Sequence, residues 1–359
     1  MTRWTVWVPL VAVAALALSW GRSLPPLAVA VVALCLAGAV LAAVHHAEVV
    51  AHRVGEPFGS LVLAVAVTVI EVALIVTLMA DGGTKGSTLA RDTVFAAVMI
   101  TCNGIVGLCL LVAALRTKVA VFHAEGTGGA LATVATLATL SLVLPAFTTS
   151  EPGPEFSQAQ LVFAAIASLS LYGLFVAVQT VRHRDYFLPL TQEGELKEDD
   201  DSHAPPPSRP ATILSLTLLI VALVAVVGDA KAVSPAIESG VGSADLPHAV
   251  VGVVIALLVL LPETIAAVRA ARRERVQTSL NLAFGSAMAS IGLTIPAIAL
   301  ATVWLEGPLV LGLGATHLVL LALTVVVGAL TVVPGRATLL QSGVHLAIFA
   351  AFVFLALKP

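Results

Sequence analysis

Long apolar stretches recur along the whole chain and limit what it can fold into. They run for about 18–25 residues, the length that spans a bilayer as a helix, and Gly, Pro and charged residues separate them. With 59% apolar and 11% charged residues, a water-soluble globule is excluded, because soluble domains carry about a quarter charged residues. The sequence predicts an all-α polytopic membrane protein of about eleven transmembrane helices. The predicted spans are 4–20, 25–44, 58–80, 93–115, 127–147, 158–181, 211–228, 246–268, 277–304, 308–328 and 336–357.

The loops between these spans differ in positive charge from one side of the membrane to the other. Of the 18 Lys and Arg residues, thirteen fall on the side that holds the N-terminus and five on the other. Lys and Arg mark cytoplasmic loops. We therefore predict a multi-pass protein of the cell inner (plasma) membrane, with a cytoplasmic N-terminus, an uncleaved first helix and an external C-terminus.

One polar stretch, residues 182–210, divides the apolar spans. It cannot bury a core, so we expect a cytoplasmic linker that is mobile or only partly helical. Two roles remain open: a solvated hinge, or a segment that attracts cations near the cytoplasmic mouth. Its acidic run consists of Glu193, Glu195, Glu198, Asp199, Asp200 and Asp201.

A single glutamate lies in each of two apolar spans, Glu71 in the third and Glu263 in the eighth. A carboxyl group at membrane depth costs about 2.5–3.5 kcal/mol on insertion scales, so it is rarely retained without a function. Two such groups in matching places predict a cation site.

The two glutamates also reveal an internal repeat. Each is followed by Asn-x-x-x-Gly in the next span, beginning at Asn103 and at Asn281. The distance from the glutamate to the asparagine is 32 residues in the first half and 18 in the second, and we attribute this difference to a shorter loop in the second half. Residues 1–24 then form an N-terminal helix, and 25–181 and 211–359 form two five-helix repeats. An odd number of helices makes the repeats inverted, so their glutamates can meet at the midplane.

These segments resemble a known superfamily. The stretch GEPFGSLVLAVAVTVIE at 55–71, together with Pro262-Glu263 and residues 281–296, is similar to the α-repeats of the cation/calcium exchanger (CaCA) superfamily, and most to its bacterial calcium/proton antiporter branch. Members of that branch are also reported to exchange sodium or potassium for protons. The resemblance covers essentially the whole chain and implies the extra N-terminal span and the acidic linker. The Gly-Asn-x-x-Glu-His form of vacuolar relatives is absent, since Thr68 and Leu260 replace its asparagine.

The ligand chemistry can be argued from the residues alone. Calcium takes six to eight oxygen ligands, and two facing carboxylates supply up to four oxygens and balance a divalent charge. Further oxygens can come from amide and hydroxyl groups and from carbonyls that Pro262 frees. Close helix packing would also explain these small polar residues. The candidates, besides the metal ligands Glu71 and Glu263, are Asn103, Asn281, Thr68, Thr264, Ser286 and Ser290.

Protons and cations would compete for the same oxygens. Burial and a neighbouring like charge both favour a protonated carboxyl, and a bound cation reverses that preference. We therefore predict a secondary antiporter that exports Ca²⁺ in exchange for H⁺ by alternating access. A sodium/proton or potassium/proton antiporter using the same site is the alternative. A cation channel and a non-transporting scaffold are weaker interpretations, because the inverted repeat favours alternating access.

Other motifs add little. A Walker loop, His-Glu-x-x-His and Gly-x-Ser-x-Gly do not occur in the sequence, so ATP-driven transport and hydrolysis are unsupported, and we expect neither an enzyme nor a cofactor. The expected partners are inorganic cations, protons and the lipid bilayer, with no nucleic acid; a homo-oligomer is compatible with the sequence. His45, His46 and His52 are predicted to lie at a wetted interface or to aid cation entry, whereas His317 and His345 are expected to form hydrogen bonds between helices.

Overall fold

The computed structural model describes residues 3–22, 24–55, 58–82, 87–196, 206–243, 247, 249–304 and 307–359. Eleven helical spans occupy these ranges, and ten of them are long and apolar enough to cross a membrane. The prediction of an all-α polytopic membrane protein is confirmed. The spans are α1 Arg3–Ser19, α2 Pro26–Val54, α3 Phe58–Gly82, α4 Leu89–Thr117, α5 Ala124–Ala146, α6 Gln158–Arg182, α7 Arg209–Ser243, α8 Ala249–Arg272, α9 Val276–Ala301, α10 Ala315–Val332 and α11 Leu339–Leu357.

Two helices extend well beyond their predicted spans. Helix α2 continues to Val54 rather than residue 44, and α7 continues to Ser243 rather than residue 228. At 1.5 Å per residue, the 35 residues of α7 measure about 52 Å, longer than the roughly 30 Å hydrocarbon core. Polar residues that we assigned to loops therefore lie within helices, among them His46, Asp229 and Lys231.

Three of the spans contain a π-helical turn. It occupies Ile100–Ile105 within α4, Thr139–Val143 within α5 and Val178–Arg182 at the end of α6. Such turns are rare and occur often at functional sites. Each one changes the helical phase, so side chains after the turn face a direction that a regular 3.6-residue period does not predict.

The helices pack around two apolar clusters. One cluster is built from α4, α5, α6, α8, α9, α10 and α11, and the other from α1, α2, α3, α7 and α8. Helices from opposite halves contact each other, α3 with α9 and α4 with α8. The second contact is very close, because a Cβ atom at Gly252 of α8 would lie 2.9 Å from the backbone nitrogen of Thr93 in α4. The reciprocal contacts support the predicted inverted repeat.

The two Asn-x-x-x-Gly motifs do not occupy equivalent depths. Asn103 lies 14 residues after the start of α4, whereas Asn281 lies 5 residues after the start of α9. The residue 14 positions into α9 is Ser290. A shorter loop therefore explains little of the difference in interval, and Ser290 rather than Asn281 corresponds to Asn103 by depth.

The linker begins with an ordered segment. Arg184–Phe187 forms a 3₁₀ helix, and Phe187 is buried with its ring against Phe175 of α6. Gly126 of α5 packs against the Tyr186 carbonyl oxygen so closely that a Cβ atom there would clash with it. The expectation of a partly helical linker holds here, but this segment packs on the helices. Glu193 and Glu195 are exposed, whereas Glu198, Asp199, Asp200 and Asp201 lie outside the described residues.

A short antiparallel ribbon joins the two halves. Strand β1, Ala120–Val121, follows α4 and pairs with β2, Arg336–Ala337, which precedes α11. The ribbon lies on the same face of the protein as the ends of α4, α6 and α8 and the starts of α3, α5, α9 and α11, since successive helices alternate in direction. We call this face the linker side.

Candidate cation site

Glu71 and Glu263 line the same cavity. Its volume is about 220 Å³, and its walls are formed by α3, α6, α8 and α9. Glu71 is 4% exposed. The lining residues are Leu63, Ala64, Val67, Thr68, Glu71, Tyr172, Phe175, Val176, Gln179, Leu260, Glu263, Thr278, Asn281, Leu282, Gly285, Ser286, Ala289 and Ser290.

The cavity extends from the two glutamates toward the linker side only. Its α3 residues precede Glu71, and its α9 residues belong to the first 15 of that helix. Beyond Glu71 in the opposite direction, the same helices present buried apolar side chains, among them Ile75, Ile291 and Ile295. The site is therefore approached from one face and sealed from the other.

Glu71 accepts a hydrogen bond across the interface between the halves. The Ser290 hydroxyl of α9 donates to Glu71 Oε1 over 2.6 Å, and both residues are buried. Thr294, one turn further along α9, is fully buried. A donor to a carboxylate stabilises the charged form, so Ser290 helps the site to hold an ionised Glu71 when a cation is bound.

Glu263 has less support than Glu71. Its Oε2 atom is buried and has no hydrogen-bond partner among the described residues, and Glu263 shares its cavity with the carboxyl group of Glu71. A buried anion without a partner is costly. A proton or a cation at Glu263 would remove that cost, which is the property an exchange site needs.

Three further predicted ligands, Thr68, Asn281 and Ser286, also line the cavity. Asn281 is already engaged at the rim, because its Nδ2 donates to the Phe187 carbonyl oxygen over 2.6 Å and its Oδ1 accepts from Gln277 Nε2 over 2.8 Å. Its amide thus connects the cavity to the ordered part of the linker.

The structure does not bring Asn103 or Thr264 to the cavity. Asn103 is fully buried elsewhere, where Nδ2 donates to Thr324 Oγ1 over 2.9 Å and Oδ1 accepts from His345 Nδ1 over 3.2 Å. The Thr264 hydroxyl donates to the Leu260 carbonyl oxygen of its own helix over 2.7 Å. In this state both groups make hydrogen bonds away from the cavity, and their predicted ligand roles stay predictions.

The sequence did not single out the residues that α6 contributes to the cavity. Tyr172, Phe175 and Gln179 line its wall. Helix α6 approaches α9 closely, since a Cβ atom at Gly292 would lie 2.7 Å from Tyr172 Cβ. Gln179 was detectable as a polar residue near the end of an apolar span, but we assigned it no role.

Three of the histidines, His46, His317 and His345, pack against other helices. His46 is fully buried, with Nε2 donating to the Thr5 carbonyl oxygen over 2.9 Å and Nδ1 lying 3.3 Å from Ser215 Oγ. The wetted interface predicted for it is wrong, because α2 continues past it and packs against α1 and α7. His345 bridges Asn103 and Thr331, and the ring of His317 packs against Phe95.

Comparison with known proteins identifies the family. Residues 24–181 and 214–358 match the family described as sodium/calcium exchanger protein, and the two blocks nearly coincide with the predicted repeats. The chain belongs to this family. The resemblance noted in the sequence is therefore confirmed, and the chain is a multi-pass membrane protein of an exchanger family.

Two curated proteins and two solved structures are similar to this family member. The putative ionic transporter y4hA of Sinorhizobium fredii (strain NBRC 101917 / NGR234) is 46% identical over 99% of the chain and 96% of its own length. The sodium-potassium/proton antiporter ChaA of Escherichia coli (strain K12) is 35% identical over 93% and 91%. The structure of native YfkE matches with a TM-score of 0.70 at 15% identity, covering 99% of both chains. The H⁺/Ca²⁺ exchanger CAX matches with a TM-score of 0.68 at 15% identity, covering 98% and 91%. The structural matches establish the shared fold.

Proposed function

We propose that this exchanger-family protein is a secondary antiporter that moves a cation in one direction and protons in the other. One observation carries the proposal: Glu71 and Glu263 line a single cavity that reaches them from one side of the membrane only. Cation and protons compete for the same carboxyl oxygens, so the site is nearly neutral when either is bound. The protein changes between its inward-facing and outward-facing states at lower cost when the site is neutral than when it is charged. Because the empty, charged site does not make this change, the cation flux and the proton flux are coupled.

The direction of transport follows from the orientation. We assign the linker side to the cytoplasm, because thirteen of the 18 Lys and Arg residues were placed on that side. The cavity then faces inward, the C-terminus lies outside, and cytoplasmic cation is exported as protons enter. In the alternate state, α3 and α8 would present the same carboxyl groups to the opposite face.

Calcium is the cation that the charge of the site favours. The two carboxylates balance one divalent ion and supply up to four of the six to eight oxygens that calcium takes. The Ser290 hydroxyl lies against Glu71 and can add a fifth. The 220 Å³ cavity far exceeds the roughly 10–15 Å³ that one water needs, so water can complete the shell.

Sodium or potassium is the second candidate, and similarity to ChaA favours it. That relative is 35% identical over most of its length and is named a sodium-potassium/proton antiporter. Each carboxylate can exchange one proton for one monovalent ion, so the same two residues serve either chemistry.

The experiment is a proton-gradient assay in everted membrane vesicles. Calcium, sodium and potassium are added separately, and the cation that dissipates the gradient is the substrate. Glu71→Gln and Glu263→Gln should each abolish the response, because glutamine cannot release a proton. Glu151→Gln, at an exposed loop position, is the matched control and should leave it intact. Full activity in either cavity variant would refute the proposal.

A further inference from the structure

Another carboxyl group, in addition to the two glutamates of the cation site, is buried in a membrane-spanning helix. Asp229 lies within α7 and is 0% exposed, and neither of its carboxyl oxygens has a hydrogen-bond partner among the described residues. The cation cavity has no lining residue from α2 or α7. Asp229 is therefore a separate feature that the proposed exchange at Glu71 and Glu263 leaves unexplained.

The depth of Asp229 differs from that of the glutamates. It lies 20 residues from the linker-side end of α7, about 30 Å at 1.5 Å per residue, whereas Glu71 lies 13 residues, about 20 Å, from the start of α3. The hydrogen bond from Arg53 Nη1 to the Pro207 carbonyl oxygen holds the end of α2 beside the start of α7. Asp229 thus lies nearer the opposite face, in the half that is sealed in this state.

Among the described residues, the titratable groups on the helices around Asp229 are few. On α2, the Cys35 thiol lies 19 residues from the linker-side end of the helix, at the same level as Asp229. Helices α3 and α8 contribute Glu71 and Glu263 at the cation site. On α7 itself, Lys231 lines a groove formed with α1 and α3. Helix α1, which also packs on α7, has its one charged residue at its linker-side end.

An ionised carboxylate cannot be retained in such surroundings. An isolated buried charge costs many kcal/mol, and the usual outcome is that the group becomes neutral. Even a neutral carboxyl that served only as structural support would be expected to use its hydrogen bonds, as Asn103 and His345 do. Asp229 is as deeply buried as these structural residues, but its carboxyl oxygens lack the hydrogen bonds that they make.

We propose that Asp229 is a second proton-binding site of this protein, separate from the cation site. It holds a proton in this state and, in the alternate state of the proposed exchange cycle, releases it to water that enters from the opposite face. The step breaks one O–H bond of the carboxyl group. The proton passes to that water, and the carboxylate that remains is hydrated. Rebinding of the proton restores the neutral carboxyl group.

Infrared spectroscopy of the purified protein tests for this proton without requiring transport. In a Glu71→Gln/Glu263→Gln background at pH 7, exposed carboxyl groups are ionised, so a C=O stretch of protonated acid in apolar surroundings should come from Asp229. Adding Asp229→Asn should remove that band. Adding Ser234→Ala, which deletes another buried and unpaired polar group of α7, should leave it.

The outcomes are decisive. A background protein without the band, or a band that survives Asp229→Asn, overturns the proposal. If Asp229→Asn does not fold, Asp229→Glu keeps the acid and should shift the band, and an unshifted band overturns the proposal equally. Because the background already lacks both cation-site carboxyl groups, the result does not depend on whether the exchange mechanism is correct.

Transport by the otherwise unmodified protein gives the second readout. A group that must bind a proton changes the population of its state up to about tenfold per pH unit above its titration range. Asp229→Asn should make the pH dependence of exchange shallower by up to that factor per pH unit, and Ser234→Ala should not. An unaltered pH profile in Asp229→Asn contradicts release of this proton during the cycle.

Discussion

The hydrogen bond between Ser290 and Glu71 gives the sharpest test of the cation site. We expect Ser290→Ala to weaken cation binding, because cation binding requires an ionised Glu71 and the serine hydroxyl donates to that carboxylate over 2.6 Å. A hydrogen bond to a charged group contributes about 1.5–3 kcal/mol. Since a tenfold change corresponds to about 1.36 kcal/mol, the predicted loss of affinity is about 10- to 150-fold.

The size of the affinity loss within this range depends on how easily water from the cavity can replace the serine hydroxyl. Ser290 is 3% exposed and Glu71 is 4% exposed, so bulk water does not replace the lost donor freely. A single water admitted from the cavity would restore part of the bond and bring the effect to the lower end. The deletion removes one oxygen atom and leaves the α3–α9 packing in place.

Isothermal titration of the purified variant with calcium, sodium and potassium at fixed pH measures the affinity. Ser279→Ala is the matched control, because Ser279 is a buried serine of the same helix that does not line the cavity. Raising the pH should recover binding in Ser290→Ala, since protons compete with the cation. Unchanged affinity in Ser290→Ala, or an equal loss in Ser279→Ala, would refute the assigned role of this bond.

Three other substitutions probe the cavity and its surroundings. Gly285→Leu should abolish transport in vesicles, because Gly285 lines the cavity and the new side chain would enter it. The protein should still fold, because a Cβ atom at Gly285 meets nothing within 4 Å. The control, Gly173→Leu, changes an exposed glycine with the same open space and should retain full activity. Asn103→Ala should lower thermal stability in detergent, since it leaves the buried Nδ1 atom of His345 without its partner at a cost of about 1–3 kcal/mol; unaltered stability would contradict this hydrogen-bond network. Thr264→Val should leave cation affinity unchanged in the titration, and a marked loss would return Thr264 to the ligand set.

The sequence predicted the number of helices and their class because bilayer thickness imposes them. A span must be apolar over about 20 residues, which the composition shows directly. Helix ends are less constrained, because a helix can continue through the interface and beyond it. The span that we ended at residue 228 left Asp229 in a loop, so its burial became visible only when α7 was seen to continue to Ser243.

The candidate site was predicted in part for a related reason. The glutamates were evident because a carboxyl group in an apolar span is rare, and Thr68, Asn281 and Ser286 line the cavity as their positions suggested. Asn103 was paired with Asn281 by motif rather than by depth, and the π-helical turn at Ile100–Ile105 changes the face that its side chain occupies. Which hydroxyl reaches Glu71 depends on packing between the halves, and local sequence does not contain that information.

The β1–β2 ribbon limits how the protein can rearrange. Ala120 pairs with Ala337 and the Phe122 amide donates to the Gly335 carbonyl oxygen over 3.0 Å, so main-chain bonds fasten the exit of α4 to the entrance of α11. Sliding one of these helices past the other would break several bonds at once, whereas moving both together breaks none. We expect α4 and α11 to move as one rigid unit, so the helix interface that shifts between the two states lies elsewhere in the protein.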